Sequence, residues 1–248
     1  MNGQLTLVDS VEALRYAAAE KIVTELTGGI RDQGTASCAL SGGATPRAVY
    51  ELLGSAQYAG RIDWKKVHLF WGDERCVGPT MPESNFRMVN ESLLRHIALP
   101  PQNVHRIRGE LKPQDAAREC EKDIRRFFGL KEGEFPRFTI VLLGMGVDGH
   151  TASLFPGTRV LGEKQRIASD VYVEALAASR VTLTVPALNN AATVVFLVSG
   201  RTKAEILKNV LDDSEARYPA QLINPASGRL FWLVDRDAAS HLPTAETL

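Results

Sequence analysis

The 248-residue chain has little cysteine and no surplus of charge of either sign. Its three cysteines, Cys38, Cys76 and Cys120, are odd in number and lack a Cys-x-x-Cys spacing, which argues against a disulfide framework and a zinc cage. Lysine and arginine together number 29, and so do aspartate and glutamate. Without a global positive field to gather nucleic acid or an anionic membrane, any anion site must be local.

Long apolar runs and an N-terminal targeting pattern are also lacking. No apolar stretch approaches the ~18 residues of a membrane span, and no basic segment followed by an apolar one opens the chain. We therefore expect a soluble, cytoplasmic protein. Hydrophobic residues make up 44% and charged residues 23%, as in globular proteins. No linker rich in proline, glycine or serine divides the chain, so a single domain over residues 1–248 is the simpler interpretation.

Apolar segments of strand length alternate with segments of helical period, which predicts βα units and an α/β fold with a largely parallel sheet. The predicted strands are 5–8, 36–40, 67–71, 138–143, 181–185, 194–198 and 230–234. Asp9 and Glu12 resemble a capping box for a first helix that ends at Gly28 and Gly29. Further helices are predicted to follow Pro46, to carry Phe86 to Ile97 on one face, to span 115–128 and to end near 211.

Four polar, glycine-bearing loops follow predicted strands, at 41–46, 72–76, 144–151 and 199–203. Ligands of open α/β sheets bind outside the carboxyl ends of the strands, where loops and helix N-termini converge. We therefore expect the functional site where these four loops meet.

The first loop suits a phosphate. Ser41, Gly42 and Gly43 offer backbone N–H groups, while Thr45 as N-cap and Pro46 as first helical residue place them beside a helix N-terminus. A glycine turn that only lets strand and helix pack would have the same sequence. Three cations lie near the other loops and could bind the phosphate or simply face solvent: Lys203, Arg201 and Arg180.

His150 is the only one of the five histidines that lies in a glycine-rich loop after a buried strand. A neutral imidazole accepts a proton from water, so His150 is a candidate general base, although a hydrogen-bonded loop histidine is the alternative. Asp148 either steadies the imidazole tautomer or binds the intervening backbone in an Asx-turn. Asp73 and Arg75 follow the third strand. They form either a solvated turn or a site in which Asp73 binds sugar hydroxyls and Arg75 a phosphate.

The spacing Gly144-x-Gly146-x-x-Gly149 formally matches the dinucleotide fingerprint, with Asp170 near the distance of a ribose-binding acid. The fingerprint needs a full helix, and the segment Phe155-Pro156-Gly157 would cut such a helix short. A nicotinamide or flavin cofactor is therefore disfavoured. No serine has a Gly-x-Ser-x-Gly elbow and no acidic or histidine cluster has metal-ligand spacing, which disfavours acyl-enzyme chemistry and an obligatory metal.

Together these loops resemble the glucosamine-6-phosphate isomerase/6-phosphogluconolactonase family, and its lactonases in particular. The matching stretches, in family order, are LSGGATP (40–46), WGDER (71–75) with PESN (82–85), GMGVDGHTASLFP (144–156) and RVTLT (180–184) leading to SGRTK (199–203). The long block around His150 is highly specific. Deaminases of the family carry a similar Asp-Gly-His core but typically continue with Ile-Ala-Phe-Asn-Glu-Pro.

The resemblance implies a Rossmann-like α/β fold and cofactor-free hydrolysis of 6-phospho-D-glucono-1,5-lactone to 6-phosphogluconate in the oxidative pentose phosphate pathway. His150, oriented by Asp148, would activate the water, and the 41–46 loop, Lys203 and Arg75 would anchor the phosphate, with Arg180 and Arg201 as further candidates. The alternatives are a deaminase on the same scaffold and a non-catalytic sugar-phosphate sensor. The expected partner is a small sugar-phosphate lactone, without nucleic acid or membrane, and the chain is a monomer or a homodimer.

Overall fold

The computed structural model describes residues 3–212 and 218–243 of the chain. Within these ranges the strands are β1 Gln4–Val8, β2 Ala36–Leu40, β3 Val67–Trp71, β4 Asp73–Arg75, β5 Val104–His105, β6 Ile140–Leu143, β7 Ala168–Val173, β8 Ala178–Leu183, β9 Thr193–Val198 and β10 Arg229–Asp235. The α-helices are α1 Val11–Gln33, α2 Ala44–Leu53, α3 Asn85–Ser92, α4 Pro113–Phe128, α5 Val185–Asn189 and α6 Ala204–Asp212. None of the helices in these ranges is long and apolar enough to cross a membrane.

Seven strands form one sheet in the order β1-β10-β9-β6-β2-β3-β5, and every neighbouring pair in it is parallel. Successive side chains of β6 alternate between two apolar layers: Val141 and Leu143 face one, and Ile140 and Leu142 face the other. In a parallel sheet that helices cover on both faces, the strands are continuous apolar runs, and β6 has this composition. The expected α/β fold with a largely parallel sheet flanked by helices is confirmed.

A second, three-stranded antiparallel sheet, in the order β4-β8-β7, lies beside the first and was not predicted. Of the parallel strand expected at 181–185, residues 181–183 belong to β8 of this sheet and Val185 begins α5; the turn expected at 72–76 contains β4. Val171 and Leu183 of the small sheet share one apolar cluster with Val141 and Phe196 of the large one. The two sheets therefore form a single core.

Helix α1 passes through the glycines that were expected to end it and stops at Gly34, which adopts a left-handed conformation with φ 81°. Gly29 is a packing position, because a Cβ there would lie 2.8 Å from Thr139 Cγ2. The absent side chain thus lets the helix approach the neighbouring segment closely. The N-cap is Ser10 rather than Asp9, and the Ser10 side chain accepts a hydrogen bond from the Ala13 N–H at 3.1 Å.

The helix predicted to carry Phe86 to Ile97 is shorter than expected. It ends at Ser92, where Leu93 leaves the helical region with φ −135°, and a 3-10 turn over Leu94–His96 follows. The expected apolar face is still used, because Val89 and Leu93 are buried in the same cluster.

His68 on β3 and His105 on β5 form a side-chain pair that links these two neighbouring strands. His68 Nδ1 lies 3.1 Å from His105 Nε2, and His105 Nδ1 lies 2.8 Å from Asp123 Oδ2. Burial, followed by the positive charge that His105 can carry, lowers the pKa of His68 from its ordinary value of 6.5.

We expect this pair to make stability depend on pH. Unfolded His68 binds its proton at a higher pH than folded His68, so its contribution is complete above about pH 6.5 and decreases as the pH falls towards the lowered folded pKa. The urea midpoint should therefore drop between about pH 7.5 and about pH 5.5 by more in the wild type than in His68→Asn. His241→Asn, at an exposed histidine, serves as control. An equal drop in wild type and His68→Asn would show that His68 does not cause it.

Candidate active site

A cleft of about 460 Å³ lies at the carboxyl ends of β2, β6 and β9 and beside β4. Its size is in the range of small-molecule sites. Most of the residues predicted from the sequence line it: Ser41, Gly42, Gly43, Thr45, Asp73, Arg75, His150, Arg180 and Lys203. The neighbouring positions of β2, β6 and β9 in the sheet explain this convergence, because parallel strands end at the same edge.

His150 and Asp148 form a hydrogen-bonded pair in the loop after β6. Asp148 Oδ1 lies 2.5 Å from His150 Nδ1 and also accepts the backbone N–H of His150 at 3.2 Å. Both roles considered for Asp148, orienting the imidazole and closing an Asx-type turn, are therefore present together. Burial raises the pKa of Asp148, but the backbone hydrogen bond, the charge and the side-chain hydrogen bond of His150 outweigh it, and the pKa is lowered.

The loop that carries this pair turns back tightly on itself. The Gly146 N–H donates to the His150 carbonyl at 2.8 Å, and Thr151 Oγ1 donates to the Gly144 carbonyl at 2.8 Å. A Cβ at position 146 would lie 2.1 Å from His150 Nδ1 and 2.5 Å from Asp148 Oδ1. Gly146 is therefore required because the two side chains pack directly against its Cα.

Helix α2 points its N-terminus into the cleft. Gly43 is the N-cap, with φ 106°, and no side chain caps the first turn, so its N–H groups remain available to an anion. Thr45 was expected to be the N-cap, but it lies within the first turn and its hydroxyl is 2.7 Å from Ser199 Oγ. This contact joins the 41–46 loop to the loop after β9.

Tyr50 holds the start of the 41–46 loop through two hydrogen bonds to the backbone of Ser41. Its hydroxyl accepts the Ser41 N–H at 3.0 Å and donates to the Ser41 carbonyl at 2.9 Å, and its side chain is fully buried. Burial raises the pKa of Tyr50 well above its ordinary value, so the hydroxyl keeps the proton that it donates. The start of the 41–46 loop is thus held by a buried side chain of the helix that follows it.

Lys203 brings a cation to the cleft from the loop after β9. Burial lowers the pKa of Lys203, while the negative charge of Asp148 opposes this shift. The negative charge of Asp148 therefore favours the charged ammonium form of Lys203.

Asp73 is a buried carboxylate on the wall formed by β4. Ser153 Oγ donates to Asp73 Oδ2 at 2.6 Å, and Asn85 Nδ2 donates to Asp73 Oδ1 at 3.3 Å. Arg180 Nη1 lies 3.9 Å from Asp73 Oδ2. The carboxylate is thus held in place from three different segments of the chain.

Glu74, the next residue, organises the N-terminus of α3 instead of facing the cleft. Its buried carboxylate accepts the backbone N–H groups of Asn85 and Phe86, each at 2.7 Å, and the Ser84 hydroxyl at 3.1 Å. Burial raises the pKa of Glu74, and the backbone hydrogen bonds oppose the shift. This anchor places Asn85 against Asp73 and against Gly42, where a Cβ would lie 2.1 Å from Asn85 Oδ1.

Arg75 and Arg180 face each other across β4 and β8 and bring two cations to the same wall. The Nε atoms of both are buried and make no hydrogen bond to any atom in the described part of the chain. Burial lowers the pKa of Arg180, and the charge of Arg75 adds to this effect. Two guanidinium groups therefore concentrate positive charge on this side of the cleft.

Arg201 is not brought into the cleft. It is exposed, begins the 3-10 turn Arg201–Lys203 and, unlike Lys203, does not line the cleft. The dinucleotide interpretation also lacks its helix, because turns and a bridge between Thr151 and Leu154 follow β6. Asp170 lies on β7, where it accepts Gln114 Nε2 at 3.0 Å.

Sequence reasoning missed Asn85, Ser153 and Ser199 as site residues. Each acts through a contact with a residue at least 12 positions away, and Ser153 contacts Asp73 across 80 positions. The only sequence signal was their presence in the quoted stretches. In the described ranges, no group of three or more His, Cys, Asp or Glu side chains could hold a metal ion.

Comparisons with known proteins identify the family of the chain. The family model described as glucosamine-6-phosphate isomerases/6-phosphogluconolactonase matches residues 9–232. A 6-phosphogluconolactonase of Nostoc sp. is 38% identical over 233 residues, which cover 93% of this chain and 94% of that protein. One of Synechocystis sp. is 37% identical, covering 98% and 99% of the two chains.

Solved structures extend the comparison to the fold. The 6-phosphogluconolactonase from Trypanosoma cruzi is similar with a TM-score of 0.87 and 29% identity, covering 98% of this chain and 97% of that one. A monomeric glucosamine-6-phosphate deaminase, at a TM-score of 0.79 and 20% identity over 96% of this chain and 99% of its own, shares the fold. The chain belongs to the glucosamine-6-phosphate isomerase/6-phosphogluconolactonase family.

Proposed function

We propose that this chain hydrolyses 6-phospho-D-glucono-1,5-lactone to 6-phospho-D-gluconate, with His150 as the general base. The observation that carries the proposal is the presence of an Asp-oriented imidazole and an uncapped helix N-terminus in one cleft of about 460 Å³. The first suits activation of water and the second suits a phosphate dianion. The names of the relatives support the same substrate.

In the proposed reaction His150 removes a proton from a water molecule as its oxygen attacks C1 of the lactone. Because Nδ1 is engaged by Asp148, the proton passes to Nε2. The C1–ring oxygen bond then breaks, and the imidazolium returns the proton to the leaving oxygen, so that the carboxylic acid and a hydroxyl group form. Asp148 stabilises the imidazolium without itself taking the proton.

Binding would hold the lactone in reach of this base. The N–H groups of α2, together with Lys203 and the Arg75 and Arg180 guanidinium groups, supply positive charge for the 6-phosphate. Asp73, held by Ser153 and Asn85, offers a fixed carboxylate to sugar hydroxyls. Orientation of the two reactants in one cleft is a large part of the catalytic effect that such sites achieve.

The residue after Leu154 differs between this chain and the deaminase pattern of the family. The deaminase pattern Ile-Ala-Phe-Asn-Glu-Pro carries Glu where this chain has Phe155, next to the imidazole. An apolar ring cannot transfer a proton at that position. The cleft of this chain therefore favours lactone hydrolysis over deamination, without an additional acid or base at position 155.

Two parallel assays test the function. The purified protein should release acid from fresh 6-phosphogluconolactone above the spontaneous rate and should release no ammonia from glucosamine 6-phosphate. Ammonia release would assign the chain to the deaminases, and binding without turnover of either compound would make it a sensor.

The base is tested by His150→Gln. We expect kcat/KM for the phosphorylated lactone to fall by ~10²–10⁴-fold, because this is the usual contribution of a general base. His241→Gln, at an exposed histidine outside the cleft, should behave like the wild type. Wild-type turnover by a folded His150→Gln protein would remove His150 from the mechanism.

Gly146, which packs against the Asp148 and His150 side chains, is tested by substitution with alanine. Gly146→Ala should lower kcat by about 10²-fold, because the added methyl group displaces the imidazole from Asp148 and small misplacements of a catalytic group have effects of this size. Gly144→Ala, in the same loop, places its methyl group 3.8 Å from the nearest atom, Ser41 Oγ, and should lose much less activity. Equal losses in the two variants would contradict the steric explanation.

The third prediction concerns the phosphate. Lys203→Met should raise KM for the phosphorylated lactone by about 10–100-fold, the usual effect of removing a hydrogen bond to a charged group. It should leave the hydrolysis of unphosphorylated gluconolactone unchanged relative to the wild type. Arg201→Met removes an exposed cation outside the cleft and is the matched control. Equal effects of Lys203→Met on both lactones would show that Lys203 does not bind the phosphate.

A further inference from the structure

We infer that Phe155 is a positioning residue for the reaction and fixes the plane of the His150 imidazole. This inference rests on the proposed general-base role of His150. The two rings stack with their centroids 4.0 Å apart and their planes 25° from parallel, and Phe155 is only 7% exposed. The ring is also a member of the apolar core, so it packs against the core and against the imidazole at once.

Asp148 alone does not determine where the second nitrogen of the imidazole points. A hydrogen bond to Nδ1 fixes one atom, and the terminal torsion of a histidine side chain has a broad distribution. Because a hydrogen bond tolerates a range of angles, rotation about the Cβ–Cγ bond of His150 can still tilt the ring plane and shift Nε2. A flat ring stacked on the imidazole removes this rotation, so the hydrogen bond and the stack together define one orientation.

Phe155 is itself held rigidly, as a positioning residue must be. Pro156 follows it and favours an extended backbone. The preceding turn is closed by the Leu154 N–H, which donates to the Thr151 carbonyl at 2.9 Å, and by the Ser153 N–H, which donates to Thr182 Oγ1 at 3.2 Å. The phenyl ring therefore belongs to the turn that also delivers Ser153 to Asp73.

The Phe155 ring also lies close to the guanidinium group of Arg180. The Arg180 Cζ atom lies 5.5 Å from the Phe155 ring centroid, and Arg180 is also 3.9 Å from Asp73. An aromatic ring attracts cations, so Phe155 is a favourable neighbour for Arg180 and for the imidazolium that forms during turnover. Asp148, which is hydrogen-bonded to the imidazole, also favours the charged form of Lys203.

The test compares Phe155→Leu and Phe155→Met, which remove the ring, with Phe155→Tyr, which keeps it. Removal should lower kcat by about 10–100-fold, whereas KM should rise by a smaller factor, because only the contact of the ring with Arg180 bears on substrate binding. Phe155→Tyr should stay within about threefold of the wild-type kcat. Methionine fills most of the volume, so Phe155→Met keeps the test available if Phe155→Leu does not fold.

Phe138→Leu is the matched control for loss of a buried ring. Phe138 belongs to the same apolar cluster as Phe155, but its ring contacts Phe70 and Phe128 rather than His150. The Phe138→Leu substitution should lower the thermal stability of the protein without lowering kcat. In NMR spectra, the ring C–H protons of His150 should lose their ring-current shift in Phe155→Leu and retain it in Phe155→Tyr.

The outcomes separate this inference from the proposed function. If His150→Gln loses activity but folded Phe155→Leu and Phe155→Met keep the wild-type kcat, the positioning role is overturned and the base remains. Equal losses of kcat in Phe155→Leu and Phe155→Tyr would also overturn it, because the ring would not be the feature that matters. If His150→Gln keeps full activity, the general-base proposal itself fails.

Discussion

The site depends on the hydrogen bond between Asp148 and His150. Both residues lie in a loop of a few residues after β6, so the backbone must bend sharply to let two side chains two positions apart meet. Gly146 makes this possible, because any side chain there would occupy the space of the imidazole. The same oxygen of Asp148 also holds the His150 N–H, so the pair and the turn stabilise each other.

The parallel sheet brings the rest of the site to this pair. Because β6 lies between β2 and β9, the loops that follow these strands meet at one edge, and the Thr45–Ser199 hydrogen bond ties two of them together. The small antiparallel sheet adds the opposite wall with Asp73, Arg75 and Arg180. Positive charge and a proton acceptor thus face one space, as hydrolysis of an anionic lactone would require.

Much of the architecture was predictable from the sequence. Strands β2 and β3 lie where the apolar segments placed them, because buried parallel strands are continuous apolar runs. Strand β4 was not predictable: it is three charged residues long, and its pairing with β8 joins residues more than 100 positions apart. Gly28 and Gly29 predicted the end of the first helix, but α1 continues to Gln33, since its packing on the sheet outweighs the low helix propensity of glycine.

The site was predicted as a set of loops but not as a set of contacts. His150, Asp148 and the 41–46 loop could be chosen from residue type and position, whereas Asn85, Ser153 and the stacking of Phe155 on His150 depend on the folded chain. Arg201 and Lys203 are two positions apart and could not be distinguished by sequence, yet only Lys203 lines the cleft.

The most direct test of the account is a crystal structure of the protein with bound 6-phosphogluconate. The account predicts the phosphate at the N-terminus of α2, within hydrogen-bond distance of its first-turn N–H groups and of Lys203, and the C1 carboxylate within about 4 Å of the His150 ring. A phosphate bound elsewhere, or C1 directed away from His150, would contradict the claim that one cleft holds both the base and the anion site.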